Sequence, residues 1–208
     1  MKRLLRLLAW LAVLAVVVIA GVMLLVQGRG VSARPEPSAI EKRAALFMRG
    51  WLTPATYKGL KNPVSDTEEN FVAAREHFAD HCASCHANDG SGNTDIGRKL
   101  YPKAPDMRLP RTQALSDGEI FYFIENGIRL TGMPGWSTGT PEGEHASWQL
   151  VHFIRRLPKL TADDLAIMET FNPTSRAQIE EERKIEEFLK GGDPPPTTPD
   201  PHAGHKTP

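Results

Sequence analysis

The longest uninterrupted apolar stretch lies at the start of the chain. Residues 7–26 carry no charged side chain, and Lys2, Arg3 and Arg6 precede them. A helix of that length, at about 1.5 Å rise per residue, spans roughly 30 Å, the thickness of a bilayer's hydrocarbon core. The pattern predicts a transmembrane helix. The basic prefix, residues 1–6, favours a cytoplasmic N-terminus and sends everything after residue 26 outside the cytoplasmic membrane, into the periplasm of a bacterial cell. The competing reading is a cleaved signal peptide, with Val31-Ser32-Ala33 as a small-residue cleavage site. Signal peptides typically carry only about 7–15 apolar residues.

Beyond the apolar run the pattern becomes helical and intermittent. Residues 27–64 read as a stalk containing Gly28, Gly30, Pro35 and Pro37, then a short helix, then an irregular linker over 54–63. Ser38 and Glu41 form a capping-box pattern, and Ala44, Phe47, Met48 and Trp51 share one face of the helix they open. That face has two possible destinations, the membrane surface or the domain beyond.

A compact domain is predicted over 65–160. Phe71, Ala74, Phe78 and Cys82 recur at helical spacing through a helix over 67–81, capped by Ser65 or Asp66. Residues 88–111 are rich in Gly, Pro and Asp without periodicity, and a loop that long inside a compact domain calls for a bound group to organise it. Ser116 and Glu119 open a second helix through Ile120, Phe123, Ile124 and Ile128, with Gly127 and Gly132 near its end. A third helix over 145–157 turns Trp148, Val151, Ile154 and Leu157 inward.

Residues 161–192 form a helical extension. Thr161 and Asp164 start a helix to about residue 171, and a charged helix over 175–190 carries a thin apolar stripe of Ile179, Ile185, Phe188 and Leu189. The Pro-rich stretch 193–208 is predicted to be disordered. No segment alternates as a strand does, so the fold class is all-α.

Composition narrows the function. With 25 Lys+Arg against 25 Asp+Glu, the chain lacks the basic excess of a nucleic-acid binder. Only two cysteines occur, which excludes a multi-bridge disulfide scaffold. Both fall in Cys82-Ala83-Ser84-Cys85-His86, the C-x-x-C-H signature of c-type haem attachment. On one helical turn, two thiols three positions apart can each reach a porphyrin vinyl group, and the next residue can offer the iron an imidazole nitrogen. A thioredoxin-like reading of C-x-x-C wants a βαβ context, which the pattern lacks. A zinc site would need more ligands; His77, His81 and His86 are the candidates, without a second Cys pair.

A sixth iron ligand suited to electron transfer is methionine sulfur. Of six methionines, Met1 and Met23 belong to the anchor, Met48 precedes the domain and Met168 follows it. Met133, in Thr131-Gly132-Met133-Pro134-Gly135-Trp136, sits in a loop stiffened by proline and opened by glycine, and is the candidate; Met107 is the alternative. His145 or His152 could replace methionine as the ligand, but both are read as ordinary surface histidines; His202 and His205 lie in the tail, where two histidines alone make a poor copper or zinc site. Arg98, Lys99, Lys103, Arg108 and Arg111 cluster in the long loop, as a solvated surface or as a guide for haem propionates or an acidic partner.

A helix, C-x-x-C-H, a Gly/Pro loop, a helix, a G-M-P-x-W loop and a final aromatic helix together resemble class I cytochrome c, in particular its membrane-anchored monohaem members. The resemblance covers 65–160. It implies three main helices around one covalent haem c. Cys82 and Cys85 match the thioether cysteines, His86 the proximal ligand and Met133 the distal ligand. Ala104-Pro105-Asp106-Met107 resembles the family segment whose proline carbonyl orients the proximal imidazole, which casts Pro105 in that role, with Pro102 as competitor. Phe78 and Phe153, or Trp148, match the contact between first and last helices, and Ala74 stands where the family commonly has glycine. The function implied is one-electron transfer between redox protein partners at a membrane, without bond-making on a substrate. Two alternatives are a haem subunit of a dehydrogenase or oxidase complex and a ligand-sensing haem protein with an open sixth position.

Overall fold

The computed structural model describes residues 2–30, 32–174 and 176–191. Among them every regular element is a helix, as the absence of strand alternation required. Helix α1 (Lys2–Arg29) is exposed over residues 2–28 and is long and apolar enough to cross a membrane. The predicted cap Ser175 and the tail 193–208, with His202 and His205, lie outside the described residues.

Helix α2 (Ala39–Leu52) begins at the expected capping box, with both reciprocal Ser38–Glu41 hydrogen bonds formed. The segment 54–63 has little regular structure, as its reading as a linker expected, but it is docked on the domain. It holds helix α3 (Ala55–Lys58), whose Tyr57 packs on Phe121 and Tyr122 at ring-centroid distances of 6.3 and 4.8 Å. Asn62 Nδ2 donates to the Trp148 carbonyl (2.8 Å), and a His152 ring N–H donates to the Val64 carbonyl (2.7 Å). Tertiary docking, which local composition does not report, fixes this strap to the domain.

Helix α4 (Glu68–His77) is capped by Thr67 rather than by Ser65 or Asp66. The α-helix predicted to continue to residue 81 instead becomes a π-helical turn at Phe78–Cys82, where the Ala83 N–H donates to the Phe78 carbonyl five residues back. One extra residue in the turn shifts the phase of everything after it. Helix α5 (Ala83–His86) then carries the rest of the cysteine motif and stops at Ala87, at φ 60°.

The long loop contains a 3-10 turn at Gly97–Lys99 and helix α6 (Pro110–Gln113). Helix α7 (Asp117–Asn126) starts at the Ser116–Glu119 capping box and ends at Gly127, φ 66°. Helix α8 (Pro141–Arg156) starts four residues earlier than its apolar pattern indicated, because Thr140 caps it and Pro141 occupies its first turn, where a missing N–H costs nothing. After a 3-10 turn at Leu157–Lys159 come α9 (Ala162–Glu169), opened by a Thr161–Asp164 capping box, and α10 (Arg176–Leu189).

The core forms where α4 crosses α8. Phe78 and Phe153 are fully buried with ring centroids 4.8 Å apart, and Ala74 is buried beside them. Trp148 instead stacks on Phe121 of α7 at 4.0 Å and 5°, so Phe153 makes the contact between first and last helices. Met168 of α9 is fully buried in the same core, and Asp164 pairs with the buried Arg75 of α4 at 2.8 Å. The packed unit thus continues past residue 160.

Candidate functional site

The site is a cavity of about 220 Å³ between the π-helical turn, α7, α8 and the loop that joins them. Phe78, Ile124, Leu150 and Ile154 give it apolar walls, and Cys82, His86 and Met133 face it from two stretches of chain nearly fifty residues apart. Cys85, one α-turn from Cys82, is partly enclosed, and both cysteines are free thiols. Enclosure, with Cys85 adding to it, pushes the Cys82 thiol up to about 12, so it stays protonated at neutral pH. Burial also lowers the His86 pKa, favouring the neutral imidazole, the form that can donate a lone pair to a metal.

The motif is stitched to the glycine-rich loop. The Gly92 N–H donates to the His86 carbonyl (2.8 Å), Thr94 Oγ1 to the Cys85 carbonyl (3.3 Å), and the Gly97 N–H to Thr94 Oγ1 (2.8 Å). A Cβ on Gly97 would collide with the Cys85 carbonyl oxygen, and one on Gly92 (φ 72°) would lie 2.5 Å from the Ala104 oxygen. Both glycines are therefore demanded by close backbone approach.

Met133 is held by a second set of bonds. Its N–H donates to Thr131 Oγ1 (3.1 Å), its carbonyl accepts from the Ile128 N–H (3.0 Å), and Trp136 N–H donates back to Ile124 (2.9 Å). Gly127 lies against this loop so tightly that a Cβ there would sit 2.6 Å from the Met133 oxygen. Gly132 packs against the Leu100 side chain. Met107 is buried in the hydrophobic core and does not line the cavity.

The remaining candidates fall elsewhere. His145 is exposed and His152 is engaged with the strap; neither lines the cavity. Pro105 and Pro102 are exposed, and Pro105 does not line the cavity. His86 Nδ1 is buried and makes no hydrogen bond. The basic cluster is largely engaged within the protein: Arg98 with Asp95, Lys103 with Glu36, and Arg108 with Asp89 and Asp106. No group of three His, Cys, Asp or Glu side chains suited to a metal ion occurs among the described residues, which gives the zinc reading no support.

His77 and His81, singled out in the sequence only as zinc candidates, also line the cavity, as does Trp136. The His77 and His81 rings meet edge to face at 5.0 Å, and His81 meets Trp136 likewise at 5.7 Å. Burial first, then the neighbouring His81, lowers the His77 pKa. Their i, i+4 spacing just before the cysteines was the available signal.

The site fits a covalent porphyrin on its own chemistry. It offers two unpaired thiols on one turn, an imidazole favoured in its neutral form, a buried ring nitrogen without a partner, an apolar cavity and a thioether facing it. Residues 69–154 match the family model described as cytochrome C oxidase, cbb3-type, subunit III. No curated protein matches the chain. Residues 69–154 thus form an all-α c-type cytochrome domain, a kind of domain that carries covalently bound haem, behind an N-terminal apolar helix compatible with membrane anchoring.

Proposed function

We propose that this chain is a one-electron carrier in which Cys82 and Cys85 would hold a single haem c and His86 and Met133 would ligate its iron. The observation that supports this reading most directly is the convergence of Cys82, His86 and Met133 on one apolar cavity. The bound haem supplies an iron that alternates between Fe(III) and Fe(II). The chain's own contribution is to fix its surroundings. The two cysteines would hold the porphyrin through thioether bonds. The hydrogen-bonded loop around Met133 holds the thioether in place, and thioether ligation favours the reduced metal. Apolar walls exclude water. In this reading the Pro105 carbonyl would accept from His86 Nδ1–H, which makes no hydrogen bond in this structure, and would strengthen the imidazole as a donor.

Helix α1 anchors the chain in the cytoplasmic membrane, with the haem domain on the periplasmic side. Anchoring raises the local concentration of the domain near membrane-bound donor and acceptor proteins. A second reading, a haem subunit of a membrane oxidase or dehydrogenase complex, draws on the description of the matched family as an oxidase subunit. Co-purification with a catalytic chain distinguishes the two. The ligand assignment is tested by Met133→Ala in protein carrying its haem. Loss of the low-spin His/Met spectrum is expected; an unchanged spectrum removes Met133 as ligand.

A further inference from the structure

Helix α2 presents its apolar side in an unusual direction. Ile40, Ala44, Phe47 and Trp51 recur at the spacing of one helix face, yet Ile40 is 80% exposed and Phe47 and Trp51 are each 69% exposed. The side that meets the domain is a different one. Leu46, Arg49, Gly50 and Thr53 are the covered positions, about 140° around the helix from the apolar stripe at about 100° per residue. Specific contacts hold this orientation. The Arg49 guanidinium lies 5.3 Å from the centre of the Phe123 ring, Lys58 Nζ donates to the Gly50 carbonyl, Tyr101 donates to Glu41 (3.2 Å), and Lys103 pairs with Glu36. The helix therefore docks by its more polar side and leaves its apolar stripe to something else.

Chain connectivity identifies that other surface. Residues 30–38 separate the end of α1 from the start of α2, and nine residues reach at most roughly 30 Å when fully extended. With α1 across a bilayer, α2 stays close to the membrane surface. A helix with an aromatic and aliphatic stripe, bordered by the basic side chain of Arg43, suits the boundary between lipid headgroups and acyl chains, where tryptophan is favoured.

We infer that α2 lies in the plane of the membrane interface, with Ile40, Phe47 and Trp51 inserted among phospholipids. Because α2 is fixed to the domain through Arg49, Gly50 and Glu41, it sets the roll of the haem cavity relative to the bilayer. The domain is then seated on the membrane, beyond being merely tethered to it. This inference rests on α1 being a membrane anchor.

The test uses the full chain in its native membrane, with p-benzoylphenylalanine replacing Phe47, Trp51 or, as a control, Lys42. All three positions are exposed, so the fold tolerates the change. After illumination, phospholipid adducts are expected at positions 47 and 51 at roughly tenfold the level at 42, by mass spectrometry. Adducts to another protein at 47 and 51, or lipid adducts equal at all three positions, overturn the inference. Alkaline carbonate extraction of the same membranes tests α1 separately. A chain that stays in the pellet but gives no lipid adduct at 47 or 51 defeats the interfacial helix alone, whereas release of the whole chain defeats the anchor.

Discussion

Phe78 and Phe153 face each other with ring centroids 4.8 Å apart and an interplanar angle of 39°, both without meaningful solvent exposure. The pair joins the helix that leads into the haem-attachment motif to the last helix of the domain. Phe71 adds a third ring, 5.8 Å from Phe153. Phe78 also forms part of the cavity wall, so packing energy and site geometry share one side chain. Phe153 does not line the cavity, and its truncation isolates the packing contribution. Phe153→Ala is expected to cost about 3–5 kcal/mol, because the surrounding helices cannot fully collapse into the space left. The midpoint of denaturant unfolding measures this, and a loss below about 1 kcal/mol would contradict the central role of the contact.

Gly127 offers a way to move Met133 without touching it. At φ 66° the residue is in a conformation that side chains resist, and a Cβ would meet the Met133 and Pro134 backbone at 2.5–2.6 Å. Gly127→Ala is therefore expected to weaken the near-infrared band of an iron–methionine bond while leaving covalent haem attachment intact. Gly139 has a similar φ of 71° but open space around it. Gly139→Ala carries the backbone strain alone and should leave the band unchanged.

Gly118 sets two effects in opposition. Inside a helix, alanine is favoured over glycine by about 1 kcal/mol. Here the added Cβ would collide with the Tyr57 carbonyl of the strap and approach Leu60 at 2.9 Å. The backbone collision outweighs the propensity. Gly118→Ala should loosen residues 54–63, detected as faster proteolysis within the strap; an unaltered cleavage rate would show that the strap shifts without cost.

Acid sensitivity is expected where α9 meets α4. Burial raises the Asp164 pKa, but hydrogen bonds from the Thr161 hydroxyl and N–H and from Arg75, with the charge of Arg75, outweigh it and hold the carboxyl below its ordinary value. A carboxylate with a depressed folded pKa contributes stability that is present above its unfolded pKa and lost as pH falls through the folded one. Asp164→Asn is expected to lower stability by about 2 kcal/mol at neutral pH, since it leaves Arg75 buried without its counter-charge. The difference from the parent chain should vanish at acid pH. Thermal unfolding across pH checks both parts.

The sequence was most informative where local chemistry decides structure. All three capping boxes, at Ser38, Ser116 and Thr161, open helices as read, because each needs only residues three positions apart. The cysteine motif was legible because attachment chemistry fixes residue type and spacing, and Met133, singled out by its Gly/Pro loop, lines the same cavity. The π-helical turn at Phe78–Cys82 was not, since a slip of one residue leaves the apolar spacing nearly helical. The strap over 54–63 was missed because Tyr57 and Asn62 act through distant partners. The outward stripe of α2 presented two destinations in sequence, and only the positions of Leu46, Arg49 and Gly50 reveal which side meets the protein.

The account turns on covalent attachment of one porphyrin at Cys82 and Cys85. Its most direct test is the pyridine haemochrome spectrum of the full chain, matured with a haem-c assembly system, before and after extraction with acidified acetone. One haem per chain with both vinyl groups saturated, retained by the protein through extraction, is the predicted result. A pigment that leaves with the solvent, or a properly matured chain that carries no haem, would contradict it.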